Sequence, residues 1–294
     1  MLSADLREEL AAIAPASRCD RLAELSGLFH TAGSVTIRGR GEVAVHLDVA
    51  SSAVVRRAFA ILRALGVESE IRTYPRRAFG RETRYQLHVP GVPPALEVLA
   101  EAGVLDRRLG PAETPPVRVV ARRCCRGAYL RGALLGAGSL SAGHLEIRFA
   151  SAEGARFLAS LVEQLAVHER GRHAVAYAKE TGVIEDVLAA AGAGGVVLAL
   201  EERAVMAGTR ARANRLANAD HANLVRTSRA AHKQLRAIRA LDVGTLPADL
   251  RDVAELRLRF PAASLRELAA RTDPPATKAA VHRRLRRLID LAGI

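Results

Sequence analysis

The chain has 294 residues, 49% hydrophobic and 26% charged, which is enough to bury two or three cores and too apolar for a disordered protein. Its formal net charge of +13 is uneven: residues 1–204 hold 26 Lys/Arg against 23 Asp/Glu, whereas residues 205–294 hold 18 against 8. A near-neutral body followed by a basic third points to nucleic acid as partner of the C-terminal part, although Arg outnumbers Lys 41 to 3, as in any Arg-rich composition. An apolar leader and a run long enough to span a bilayer are both lacking, and Cys19, Cys124 and Cys125 are too few for a disulfide framework. These features predict a cytoplasmic, nucleoid-associated protein with no membrane partner.

In chain order, Ser3–Ile13 predicts a helix with Ser3 as its polar cap and Leu6, Leu10 and Ile13 on one face, ended by Pro15. Asp20–Thr31 predicts the next helix. It carries Leu25–Ser34, which reads L-x-G-x-x-x-x-A-G-S and recurs as Leu130–Ser139 at an offset of 105 residues. Gly132 and Gly136, and more weakly Gly27 and Thr31, have the four-residue spacing of small residues that lets two helices approach closely. The repeat therefore predicts two helices packed together at the centre of a duplicated domain. After the first copy, Val35–Arg38 and Glu42–Val49 read as a hairpin, Ser52–Leu65 as a helix, Glu68–Tyr74 and Arg84–Val89 as a strand pair, and Ala95–Ala102 as a helix. Gly110–Pro116, with three prolines, separates the halves. The second half gives the helix Arg126–Leu135, the strand Leu145–Phe149, the helix Glu153–Leu165, the strand His173–Lys179 and the helix Val183–Ala191. It reads as a shortened copy of the same αββαββα unit, so the fold class is α+β.

Residues 196–223 read as a helix or connector in which Asn214, Asn218 and Asn223 suit caps or inter-domain hydrogen bonds. Four helical segments follow: Leu224–Leu241, Leu246–Phe260, Ser264–Arg271 with the capping box Ser264-x-x-Glu267, and Lys278–Ala292 capped by Thr277. In the last, Val281, Leu285, Leu288 and Leu291 form a core stripe. Two short helices joined by a tight turn, the second basic, make an all-α helix-turn-helix pattern. The stripe assigns Thr277, Lys278, Ala279 and His282 to the groove of double-stranded DNA, and Arg283, Arg286 and Arg287 to bases or backbone. An adaptor whose basic helix meets an acidic protein in cell division is the alternative.

Three ordered motifs resemble the WhiA family of bacterial sporulation and cell-division regulators: Cys124–Ala133 (CCRGAYLRGA), Asn214–Asn223, and Leu246–Leu288, which contains AELRLRFPAASLREL and a basic last helix. The resemblance implies a domain similar to LAGLIDADG homing endonucleases over 1–110 and 111–200, a linker over 201–223, and over 224–294 a helix-turn-helix similar to promoter-reading sigma-factor domains. It also implies a transcription regulator of sporulation, division or chromosome segregation that acts with a WhiB-type iron–sulfur protein and RNA polymerase. Family members usually carry Ser-Gly and Asn-His where this chain has Ala279-Ala280 and His282-Arg283. In the endonucleases each repeat helix ends in a metal-binding carboxylate; the aligned positions here are Ala32 and Ala137, which cannot hold Mg²⁺. The expectation is therefore no catalytic residue, and the nearest acids, Glu24, Asp48 and Glu146, have no repeat-matched placement. The strand faces carry mixed charge (Arg38, Glu42, His46, Asp48, Arg84, Gln86, His88, His144, Glu146 and Arg148), with a basic loop at Arg76, Arg77 and Arg81. Such faces suit protein contacts or auxiliary DNA contacts. No CxxC or HxxxH spacing is present, so no metal ligand and no cofactor are expected, and the cysteines read as buried thiols at a helix start.

Overall fold

The two repeat helices, α2 (Arg18–Ala32) and α5 (Arg123–Ala137), pack directly against each other. The computed structural model describes residues 2–37, 42–76, 82–171 and 173–294, which divide into two units at Arg203/Ala204. In α2 every residue from Leu22 to His30 is buried, and in α5 every residue from Ala128 to Leu135. A helix buried on all sides is a core element, and here the glycines explain how two such helices fit. A Cβ on Gly27 would overlap the Tyr129 carbonyl oxygen, and one on Gly132 would overlap that of Glu24. The L-x-G spacing is thus the footprint of a backbone-to-backbone contact.

Each half follows the same path. The first gives β1 (Gly33–Ile37), β2 (Val43–Val49), α3 (Ser52–Ala64), β3 (Glu70–Arg76), β4 (Glu82–Pro90) and α4 (Pro93–Glu101). The second gives β5 (Gly138–Ser141), β6 (His144–Phe149), α6 (Ala152–Leu161), β7 (Ala166–Arg170), β8 (His173–Ala178) and α7 (Thr181–Ala191). Both sheets are antiparallel and equivalently ordered, β1-β2-β4-β3 and β5-β6-β8-β7. Val45 faces Val89 and Leu47 faces Leu87 in the first register, and Leu145 faces Ala178 in the second. All six belong to one apolar core with the helices.

The second half is more complete than its sequence predicts. β5 and β7 are edge strands, and edge strands do not need the apolar alternation that marks a central one. β7 is largely exposed, and its formation ends α6 at Leu161 rather than Leu165. The edge of β5 is covered by α1 (Leu2–Ala12). Ser3, expected to cap that helix, lies within it. The Leu140 amide donates to its hydroxyl at 2.8 Å, and the hydroxyl donates to the Leu140 carbonyl at 2.9 Å. Arg7 Nη2 donates to the Gly138 carbonyl at 2.7 Å.

α8 (Gly194–Arg239) is continuous over 46 residues, beginning in the first unit and ending in the second. It merges two segments that the sequence suggests are separate, and Asn214, Asn218 and Asn223 lie inside it rather than at caps. Each exposed Asn costs under about 0.7 kcal/mol relative to Ala in a helix interior, too little to interrupt a run of this length. At its start Glu9 accepts hydrogen bonds from the Gly195 and Val196 amides at 2.7 and 2.8 Å. In the second unit, the end of α8 packs with α9 (Ala248–Arg259), α10 (Leu265–Ala270) and α11 (Lys278–Leu291) around Ile238, Leu250, Val253, Leu268, Val281, Leu285 and Leu288.

Gly27→Ala and Gly132→Ala should each destabilise the chain by about 1–3 kcal/mol or more, because the backbone opposite cannot yield as a side chain would. Gly182→Ala is the control: nothing lies within 4 Å of its added Cβ, and in α7 the substitution should be neutral or stabilising by up to about 1 kcal/mol. Urea unfolding of the three variants measures both.

Candidate nucleic-acid interface

In the second unit the candidate surface is built on two pinned turns. Between α9 and α10, the guanidinium of Arg257, only 2% exposed, donates to the Pro261 and Ala263 carbonyls at 3.3 and 2.6 Å. Ser264 and Glu267 form the predicted capping box: the Glu267 carboxylate accepts from the Ser264 amide at 2.7 Å, and the Ser264 hydroxyl accepts from the Glu267 amide at 3.2 Å. Those hydrogen bonds to Ser264 hold the Glu267 carboxyl below its ordinary range. Between α10 and α11, the buried Thr272 hydroxyl donates to the Ala269 carbonyl at 2.9 Å and accepts from the Ala276 amide at 2.8 Å. Arg271 stacks its guanidinium over Phe260 at 4.7 Å. Neither Arg257 nor Thr272 carries a motif that announces this role in sequence.

Thr277 caps α11 by accepting from the Ala280 amide at 3.2 Å. Val281, Leu285 and Leu288 point into the core, while Leu291, expected to extend that stripe, is 54% exposed in the last turn. The seven residues singled out from sequence, Thr277, Lys278, Ala279, His282, Arg283, Arg286 and Arg287, are all exposed. Arg284 leaves that surface to meet Asp249 at 3.5 Å. The result is a capped helix with a dry stripe on one side and cations on the other, a form suited to phosphate and guanine edges.

In the first unit the acids nearest the endonuclease positions are engaged. Glu24 is fully buried between two guanidinium groups: Arg57 Nε donates to it at 2.7 Å and Arg131 Nε at 2.8 Å. Asp48 accepts from the Tyr74 hydroxyl at 2.7 Å, and Glu146 lies 2.7 Å from His144 and 3.5 Å from Arg170. The hydrogen bond from His144 is the chief reason Glu146 sits below the usual carboxylate range. Ala32 and Ala137 end α2 and α5, as the repeat alignment requires. The predicted mixed strand faces lie opposite the core, with His46 beside His88 and Asp48 beside Gln86 in register. Arg38, Arg77 and Arg81, and the side chain of Arg76, lie outside the described residues. Further along α2, burial draws the pKa of His30 down to about 4. The Ser26 and Tyr129 hydroxyls stand 3.3 and 3.4 Å from its Nδ1.

The cysteines, separated in sequence, gather at the starts of α2 and α5. Cys19, Cys124 and Cys125 lie with Asp20 in one cluster, the only such group of potential metal ligands among the described residues. Burial, then hydrogen bonds from its neighbours, pushes the Cys125 thiol up to about 12, while the Ser17 hydroxyl draws the Cys19 thiol down. Among the described residues no helix is long and apolar enough to cross a membrane.

A duplicated αββαββα domain with paired central helices, followed by a helix-turn-helix, defines a class of proteins that joins a LAGLIDADG-like scaffold to such a module. Three family models match in that order: the WhiA N-terminal LAGLIDADG-like domain over residues 18–105, the WhiA LAGLIDADG-like domain over 126–210 and the WhiA C-terminal HTH domain over 213–292. The chain is 37% identical over 303 residues to a "Probable cell division protein WhiA" of Heliobacterium modesticaldum, covering 99% of this chain and 95% of that protein. It is 35% identical over 306 residues to one of Desulforudis audaxviator, covering 99% and 96%. The full-length WhiA crystal structure from Thermatoga maritima superposes with a TM-score of 0.55 at 23% identity, over 98% of this chain and 96% of that one. The chain belongs to the WhiA family.

Two outcomes test the buried polar centre. Glu24→Gln leaves two guanidinium groups underground with no carboxylate and should cost about 3–5 kcal/mol in urea unfolding. His30 stays neutral in the folded state down to about pH 4, whereas the unfolded chain takes up its proton near pH 6.5. Its contribution is fully present above about pH 6.5 and is lost, by about 3 kcal/mol, as pH falls to about 4. The difference in pH dependence between the parent chain and His30→Gln isolates that loss.

Proposed function

We propose that this chain is a sequence-specific, DNA-binding transcription regulator that acts in sporulation, cell division and chromosome segregation. The observation that carries the reading is α11: a helix fixed by Val281, Leu285 and Leu288 that exposes Lys278, His282, Arg283, Arg286 and Arg287. In this arrangement Thr277, Lys278, Ala279 and His282, at the N-terminal end, reach base edges in the major groove. Arg283, Arg286 and Arg287 pair with guanine or with phosphates further along. The printed names of the relatives, as probable cell division proteins, support the cell-division part of this reading. WhiB-type and RNA polymerase partners, and residence on the nucleoid, belong to the same proposal.

The first unit acts as a scaffold without nuclease activity. Two-carboxylate catalysis needs an oxygen ligand at the end of each central helix, and both positions are alanine. Glu24 does not substitute, since two buried arginines hold its oxygens. Its outward strand faces carry both signs of charge, which suits protein contacts or auxiliary DNA contacts.

Gel shifts of the full-length chain on promoter fragments across a salt series test the reading. The log of the binding constant should fall linearly with log salt, and Arg283→Glu with Arg287→Glu should flatten that slope by roughly one unit per lost phosphate contact and weaken binding at least about tenfold. No shift on any promoter fragment at low salt overturns the proposal. Supercoiled plasmid incubated with Mg²⁺ should remain intact, and nicking would overturn the scaffold assignment.

A further inference from the structure

The first turns of α2 and α5 are brought together by the same packing that buries the repeat. Cys19 and Asp20 come from one helix, Cys124 and Cys125 from the other. The potential ligand atoms of these four side chains all lie within 4.8 Å of one another. Cys124 Sγ is 3.8 Å from Cys125 Sγ, and Cys19 Sγ is 3.9 Å from Asp20 Oδ1. A tetrahedral Zn²⁺ with Zn–S bonds of about 2.3 Å requires sulfur–sulfur edges of about 3.8 Å; the Cys124–Cys125 edge has that length, and closing the remaining separations, all within 4.8 Å, takes shifts of about an ångström or less. The sulfurs are far beyond the roughly 2.05 Å of a disulfide.

We propose that Cys19, Asp20, Cys124 and Cys125 together bind one thiophilic divalent cation in tetrahedral geometry, three sites as thiolates and one as a monodentate carboxylate. Each thiol releases its proton to solvent as the metal binds. Soft sulfur donors select zinc-like ions over Mg²⁺ or Ca²⁺, which prefer oxygen. Three thiolates and a carboxylate around a 2+ ion leave an excess of negative charge. Two helix N-termini face that excess, and the start of α5 has no side-chain cap. Arg122 and Arg131 add positive charge nearby. Cys19 and Asp20 are half-buried, Cys124 is exposed, and a cleft lined by Asp20, Cys124, Arg126 and Leu158 opens beside them, which gives an ion a way in.

The ligands also obey the internal repeat. Cys19 and Cys124 are equivalent positions at the offset of 105 residues, and so are Asp20 and Cys125. The ion would sit across the axis of the duplication, two ligands from each half, and tie the central helices together at their N-terminal ends. Binding at this site is independent of any contact with DNA.

Metal analysis of the full-length chain, reduced, stripped with chelator and dialysed against Zn²⁺, should return one equivalent per chain. Co²⁺ as the spectroscopic probe should give the intense visible bands of a tetrahedral site with thiolate-to-metal charge transfer, and Zn²⁺ should displace it. Cys19→Ser and Cys124→Ser should each weaken Zn²⁺ binding at least about tenfold and diminish the charge-transfer band. Asp20→Cys, which completes a four-thiolate set, should keep the tetrahedral spectrum and strengthen that band. The proposal is overturned if the reduced chain retains no stoichiometric Zn²⁺, if Co²⁺ gives an octahedral spectrum, or if uptake survives in a Cys19→Ser/Cys124→Ser double variant. Recovery of a disulfide within the cluster from protein held in excess Zn²⁺ overturns it equally.

Discussion

The contact of α2 with α5 through Gly27 and Gly132 is the constraint on which the first unit rests. Two backbones that touch leave no room for side chains between them, so each helix must bury its remaining faces against its own sheet and flanking helices. The unusual all-round burial of both helices follows. It also places Glu24 where no water can reach it. A carboxylate there is tolerable only because two guanidinium groups meet it with near-ideal geometry. The triad adds little net stability beyond what apolar residues of the same volume could supply, but any one member left alone is costly. His30 and Tyr129, whose rings meet at 5.9 Å, form a second buried polar pair on the same two helices.

The second unit solves a different problem: holding one short helix at a fixed angle with few residues. α10 has only six residues, too few to fix its own orientation. The turns on either side of it are therefore tied by side chains, Arg257 before it and Thr272 after it, each satisfying backbone groups that a turn would otherwise leave unpaired. With those turns set, three apolar contacts are enough to seat α11. The cations on its far side take no part in that packing, so that exposed face can vary without loss of fold.

What could be read from sequence, and what could not, follows from the same physics. The repeat was legible because a backbone contact tolerates only glycine, and that restriction leaves a fixed pattern in both halves. The central strands β2 and β6 were legible because one face of each is buried, which enforces alternation. β7 is hidden because an exposed edge strand is under no such rule, and β5 because its alternation spans only four residues with Leu140 as the single large apolar side chain. The continuity of α8 was obscured by asparagines whose individual cost is too small to stop a helix. Leu291 looked like part of the stripe because periodicity does not report where the partner helices end. The seven exposed residues of α11 followed from the stripe alone, since three buried positions fix the sides of a helix. The cysteine cluster escapes the metal-ligand motifs because those are read along the chain, whereas Cys19 and Cys124 meet across the 105-residue repeat, an offset that marks equivalent positions and not neighbours.

The Glu24 triad also bears on how a duplicated protein keeps its halves in order. The positions equivalent to Glu24 and Arg131 in the opposite repeats are Tyr129 and Ser26, and the one equivalent to Arg57, with α3 and α6 capped by Ser51 and Ser151, is Phe157. The charge pairing is therefore not symmetric although the backbone is. Two first halves brought together would set a Glu24 against a Ser26 at each crossing, with neither carboxylate meeting an Arg131. Two second halves would bury a pair of Arg131 side chains with no carboxylate. Only one half of each kind satisfies the centre, so the arrangement penalises like-with-like pairing of halves. A fold that arose by doubling has in this way acquired a lock and a key from what were once identical parts.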